Sequence, residues 1–218
     1  MRTDEMLNVL LSALKAESEA AANITLPEET AGKWHLLRAL MNIRPPIPIL
    51  PELLELQDRL LSAQREAKGV TGLETLLSIQ MELAGTRVPF ADRIVLWRGD
   101  ITTLAADAIV NAANDRLLGC FIPHHRCIDN AIHSAAGIQL RLECNAIMRA
   151  QGQAEPPGQA KITRGYNLPA RYVLHTVGPI ITGQVTEEHK RLLASCYLNY
   201  ARKPHSAAWV SAESPDRV

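Results

Sequence analysis

The chain has 218 residues, 47% of them hydrophobic, and its 23 basic and 23 acidic side chains cancel to a formal net charge of zero. That length suits one large domain, or one domain with an extension, and the apolar share suffices for a sizeable core. The charge balance excludes the basic footprint of a general nucleic-acid binder, though not nucleotide binding through backbone N–H groups.

Residues 1–88 read as helical. Leu7, Leu10, Leu11 and Leu14 recur at spacings of three and four, and Asn8 and Ser12 interrupt the apolar run. With Asp4 and Glu5 close to the start, this is an amphipathic helix and not a signal peptide. A second helix surrounds Trp34, Leu36, Leu37, Leu40 and Met41. It ends at Pro45, Pro46 and Pro48, while Pro51 suits the first turn of a third helix through Leu53, Leu54, Leu56, Leu60 and Leu61. No run of about 18 apolar residues occurs, so no membrane span is expected. Four cysteines, at 120, 127, 144 and 196, are too few for a disulfide scaffold and suit a reducing cytoplasm.

From residue 89 to 200 the pattern alternates. Arg93–Arg98 reads as a buried strand closed by Gly99, and Asp107–Ala113 as a second. Asp129 to about Ala150 has helical spacing, and Gly152–Gly158 is a loop. Ala160–Thr163 and Tyr172–Val177 read as strands, and Glu187–Tyr200 as a helix. Alternation of this kind predicts an α/β domain with a largely buried sheet. Residues 201–218 lose apolar periodicity and read as an irregular tail.

The densest chemistry is in Cys120-Phe-Ile-Pro-His-His-Arg-Cys127. Thiolate and neutral imidazole are zinc ligands, and three of them would leave one coordination position open. The alternative is a pair of buried structural cysteines. Spacing alone does not choose between His124 and His125 as the nitrogen ligand. Asp129 falls in the first turn of the next helix. A carboxylate there is favoured by the helix dipole, and it could also orient a water or act as general base. His133 shares its helix face, four residues on. Asp100, after Gly99, either caps a turn or accepts from the exocyclic amine of a base. Asn111-Ala-Ala-Asn114 ends a strand at the edge where open α/β sheets bind ligands.

Together, Gly99-Asp-Ile-Thr102, Asp107-Ala-Ile-Val-Asn-Ala-Ala-Asn114 and His175-Thr-Val-Gly-Pro179 resemble the macrodomain, the ADP-ribose-binding module. The segment Leu117–His133 and the helix Trp34–Pro46 resemble its zinc-containing branch, microbial protein-ADP-ribose hydrolases with a helical N-terminal extension. The resemblance spans roughly residues 30–200. It implies a three-layer α/β/α macrodomain behind the extension, with Asp100 and Ile101 at the adenine and Asn114 near the distal ribose. Asn111 and Gly119 join the ligand-binding set. Cys120, His125 and Cys127 would hold zinc, with Asp129 and Asn114 as catalytic residues. It implies ADP-ribose or an ADP-ribosylated protein as partner, with no nucleic acid and no membrane. A sirtuin-type ADP-ribosyltransferase is expected in the same pathway.

One departure stands out. The family's glycine-rich phosphate loop, of the type Ser-Thr-Gly-x-Phe-Gly, is not found, and the resemblance is read as ending near Tyr200. The chain is therefore expected to be an incomplete macrodomain. Its alternatives to a hydrolase are a non-catalytic ADP-ribose-binding module and an inactive fragment.

Overall fold

The leucine stripe of α1 (Thr3–Ala16) does what its spacing predicts. In the computed structural model, which describes residues 1–201 and 209–211, all four leucines are buried. After the short α2 (Glu19–Ala22), α3 (Thr30–Ile43) and α4 (Pro51–Lys68) supply the rest of that core through Leu37, Leu40, Leu56 and Leu60. Pro51 takes the first turn of α4, where no N–H is needed.

A connecting region follows. β1 (Thr71–Gly72), α5 (Ile79–Glu82) and β2 (Leu104–Ala105) are short, and β1 pairs with β2 in parallel. The strand expected at 93–98 does not form, and Leu96 is 80% exposed. A strand is held by the neighbour it bonds to, and among the described residues no strand lies beside this segment. Instead the Ala91 and Ile94 carbonyls accept from Gln80 and Ile79 N–H, tying it to the start of α5.

The main sheet follows the alternating pattern. Its strands are β3 (Ala108–Ala112), β4 (Ala160–Arg164), β5 (Tyr172–Thr176) and β6 (Trp209–Ser211), in the order β4-β5-β3-β6. β3 runs parallel to β5 and β6, and β4 antiparallel to β5. Strand alternation puts Ile109 and Asn111 of β3 on one face, registered against Val173 and His175 of β5. On that face lie α6 (Ile128–Ala136) and α7 (Ile138–Gln151), which contribute Ile132, Leu140 and Cys144 to the core. Ala108, Val110 and Leu174 form a smaller cluster on the other face. α8 (Glu187–Ala201) packs along β4 and β5.

Two boundaries differ from the sequence reading. The single helix expected from Asp129 to about Ala150 is broken at Gly137, whose φ of 99° lies outside the helical range. Within the stretch 201–218, read as irregular, Trp209–Ser211 adds an edge strand beside β3. Three residues are too few to show a period-two pattern. The remainder of that stretch lies outside the described residues.

The N-terminal helices dock on α6 and α7 through buried polar contacts. Arg141 of α7, 6% exposed, donates to the carbonyls of Met41, Arg44 and Leu118. Gln57 of α4 accepts from the Ile138 N–H and donates to Gln139, while Asp58 accepts from Gln139 and Asn167.

Candidate functional site

The loop from β3 to α6 carries most of the expected site, and its shape starts with Asn114. The Asn114 Oδ1 accepts from the Arg116 N–H (3.0 Å), and its Nδ2 donates to the Gly119 carbonyl (3.1 Å). Leu117 and Gly119 adopt positive φ, 57° and 79°. A Cβ on Gly119 would stand 2.8 Å from the His133 ring, so this backbone lies directly on the imidazole. A further turn at 122–125, closed by His125 N–H to the Ile122 carbonyl, reverses the chain.

That turn brings three ligand atoms together. The Cys120 Sγ is 3.5 Å from the His125 Nδ1, and with the Cys127 Sγ all three lie within 4.8 Å of one another. Cys127 is also the N-cap of α6, its sulfur accepting from the Asn130 N–H at 3.4 Å. The donor set fits zinc: two soft sulfurs and one imidazole, with room for a fourth ligand from outside. The thiols are half-buried and His125 is exposed, so the cluster lies near the surface. Burial pushes the Cys127 thiol up, opposed by the Asn130 N–H and assisted by Cys120 and Asp129.

His124 turns the other way. Its ring stacks on His35 of α3, with centroids 3.5 Å apart, and its N–H donates to the Asn42 Oδ1 (3.1 Å). Burial, then the neighbouring His35 and Arg38, hold its pKa below the usual histidine range.

Asp129 sits two residues past Cys127, only 5% exposed. Its Oδ1 accepts from the Asn111 Nδ2 at 2.8 Å. Burial raises its carboxyl to about 6, against the opposing Asn111 hydrogen bond and the Arg141 charge. Asn111, expected at the ligand, is fully buried, and its amide serves the interior. One Nδ2 hydrogen goes to Asp129 and the other to the His175 Nδ1, 3.1 Å away. The His175 Nδ1 therefore accepts, which leaves the proton on Nε2, 2.9 Å from the Thr163 hydroxyl. Burial holds His175 down at about 4, so it is neutral.

His133, Cys144 and His175 form a second buried group of ligand-type atoms within 4.8 Å. A protonated His175 Nε2 has no lone pair for a metal, and burial keeps the Cys144 thiol protonated by pushing its pKa well up. This group is a polar core beneath Asp129. Sequence reasoning quoted His175 in a motif without a role, and Thr163, Cys144 and Arg141 carried no signal at all.

Asp100 lines a cavity with Ala131, Ser134 and Ala135 of α6. Its Oδ1 accepts from the Thr102 N–H and hydroxyl, capping the 3-10 turn Ile101–Thr103, and its Oδ2 meets the Lys68 Nζ at 3.4 Å. Burial works to raise its pKa, but the Thr102 hydrogen bonds and the Lys68 charge outweigh this and leave it lowered. Ile101, expected beside a base, is 4% exposed and belongs to the core. Asp100 and Thr102 border a cavity of about 270 Å³ between α6 and the N-terminal helices.

Comparison with known proteins places the chain in a family. The family model described as Macro domain matches residues 110–215, past the point near Tyr200 where the sequence reading ended the resemblance. A Staphylococcus aureus (strain MRSA252) protein named protein-ADP-ribose hydrolase is 45% identical over 194 residues, covering 88% of this chain and 69% of that protein. The Trypanosoma brucei macrodomain in complex with ADP is 29% identical with a TM-score of 0.51, covering 77% of this chain and 67% of that one. An Oceanobacillus iheyensis macrodomain solved with ADPR is 42% identical with a TM-score of 0.42. That alignment takes in 47% of this chain and 53% of the other, so the chain spans about half of that solved structure. The chain belongs to the macrodomain family, among relatives named protein-ADP-ribose hydrolase.

Proposed function

We propose that this protein is a zinc-dependent hydrolase that removes ADP-ribose from modified acidic side chains of proteins. The observation that carries the reading is the convergence of Cys120, His125 and Cys127 in the loop that leads directly into Asp129. The S. aureus relative named protein-ADP-ribose hydrolase supports it. When bound, zinc supplies a Lewis acid that polarises an oxygen and favours attack by water near neutral pH. The protein's own residues do the rest. Asn114 shapes the loop at the distal ribose, and Gly119 keeps its backbone against His133. Asn111 holds the Asp129 carboxylate, placing it to orient a water or accept its proton as the ester is cut. The four cysteines are free, as a reducing cytoplasm would keep them.

ADP-ribose recognition without cleavage is the second reading, favoured by the burial of Asp129. The two are separated by turnover of a mono-ADP-ribosylated protein carrying the modification on glutamate. Release of ADP-ribose is expected to fall at least about 100-fold after a strong chelator, and equally in Cys127→Ser. Unchanged release under both conditions would remove zinc from the mechanism. Tight ADP-ribose binding with no release would favour the second reading.

A further inference from the structure

His133 stands four residues after Asp129 on α6, so the two side chains share one helix face. Only 4% of it is exposed, and neither ring nitrogen has a hydrogen-bond partner among the described residues. The ring is also fixed in place. The Gly119 backbone lies on one side, where a Cβ would stand 2.8 Å from it, and the His175 ring meets it edge-on with centroids 6.0 Å apart. An imidazole with unsatisfied nitrogens is a costly way to fill a core, and a leucine or phenylalanine would fill it without that cost.

The His133 Nε2 lies 3.5 Å from the Asp129 Oδ1. That is long for a hydrogen bond, but such contacts in catalytic sites tighten when a ligand seats. Burial, then the neighbouring His175 and Arg141, hold His133 well below the usual histidine range, so the ring is neutral and carries one N–H. The Asn111 Nδ2 already donates to the same carboxylate oxygen at 2.8 Å. Two groups from different elements, β3 and α6, thus converge on Oδ1. A carboxylate held at one oxygen by two donors does not swing, and its second oxygen is left for a water.

We propose that His133 is a positioning residue for the hydrolysis: its Nε2–H is the second donor to the Asp129 Oδ1, and with Asn111 it sets the carboxylate so that Oδ2 meets the attacking water. This rests on the reading that the protein is a hydrolase with Asp129 as its base. In this role His133 touches neither substrate nor metal. It acts through Asp129, and the Gly119 segment that leads into Cys120 rests on its ring, so substrate settling on the loop closes the 3.5 Å gap. What the site requires is a donor at the Nε2 position, and that requirement separates His133 from a packing residue.

Steady-state kinetics of the zinc-loaded full chain on a protein mono-ADP-ribosylated at glutamate test this, beside ADP-ribose titration and metal content. His133→Phe keeps a ring and removes the donor. Its kcat is expected to fall about 10–100-fold, with KM and ADP-ribose affinity within about twofold and zinc content unchanged. His133→Gln restores an amide N–H near the Nε2 position and should recover to within about fivefold of wild type, whereas His133→Asn, which places its amide near the Nδ1 position, should not. Nitrogen NMR spectra of the histidine-labelled wild type should show His133 as the neutral Nε2–H tautomer. An Nδ1–H tautomer would overturn the inference. So would a wild-type kcat in His133→Phe, or equal kcat in His133→Gln and His133→Asn, and each of these leaves the functional reading standing. Should His133→Phe fail to melt cooperatively, the comparison of the two amides and the tautomer decide. No turnover by the wild-type chain would overturn both.

Discussion

His175 is held neutral by its surroundings, with Asn111 on one ring nitrogen and Thr163 on the other. Its folded pKa, about 4, is below the ordinary value of 6.5, so between these values the unfolded chain binds the extra proton. The His175 contribution is therefore fully present above about pH 6.5 and is lost as pH falls toward 4, by about 3 kcal/mol in total. Burial also holds His133 well below its usual value, which acts in the same direction. Asp129, raised to about 6, acts in the opposite direction. The isolating measurement is urea denaturation from pH 7 to 4.5 for the wild type and His175→Gln. The wild type should lose stability more steeply with acid than the variant, and parallel profiles would contradict the neutral buried ring. At this scale the sequence was informative only where ligands crowd together. Cys120, His125 and Cys127 stand out because they are close in the chain. Asn111, Asp129 and His175 are separated by 18 and 64 residues, and nothing local announces that they meet.

Among the elements, α6 ties the site together. Its N-cap is the Cys127 sulfur, its first turn carries Asp129, and its outer face meets α3. Asn42 of α3 links the two: its Nδ2 donates to Ser134 of α6 at 2.9 Å, and its Oδ1 accepts from the His124 N–H in the cysteine loop. Asn42 thus holds the loop from behind, in the manner of groups that orient metal ligands without touching the metal. Asn42→Ala is expected to lower zinc affinity about tenfold, measured by competition with a chelating dye, while helix content by circular dichroism stays the same. Unchanged affinity would show that the loop holds its shape unaided. The elements themselves were largely legible, since leucine spacing and proline positions act within a few residues. One exception was 93–98, where β-prone residues are present but, among the described residues, no strand lies beside them.

At the scale of the whole molecule, the N-terminal helices and the sheet domain share an interior. Ile138 of α7 packs into the helical core, and Arg141 is satisfied by the carbonyls of Met41 and Arg44. Removing the helices would leave a buried guanidinium short of acceptors and expose the α6–α7 face, at a cost of about 1–3 kcal/mol for the lost polar contacts before any apolar term. Unfolding of the full chain is therefore expected to be one cooperative transition, with α1 and α7 opening together in native-state hydrogen exchange. Residues 89–218 alone are expected to show no cooperative melt. Separate transitions for the two parts, or a cooperative melt of the shorter piece, would contradict a shared core.

The sequence by itself determined what depends on near neighbours: the amphipathic helices, the alternation that makes the sheet, and the Cys120–Cys127 ligand cluster. It also carried the motifs by which the family is recognised. Spacing left the histidine open and the family resemblance pointed to His125; the tertiary structure supplies the physical reason, because His124 is drawn off by His35 and Asn42, more than eighty residues earlier in the chain. The cavity between Trp34 and Asp100, by contrast, only the tertiary structure showed, since its walls come from residues 34–68 and 100–135. Periodicity records how a segment meets an apolar surface. It does not record which distant segment supplies that surface, and here the identity of that partner sets the geometry of the site.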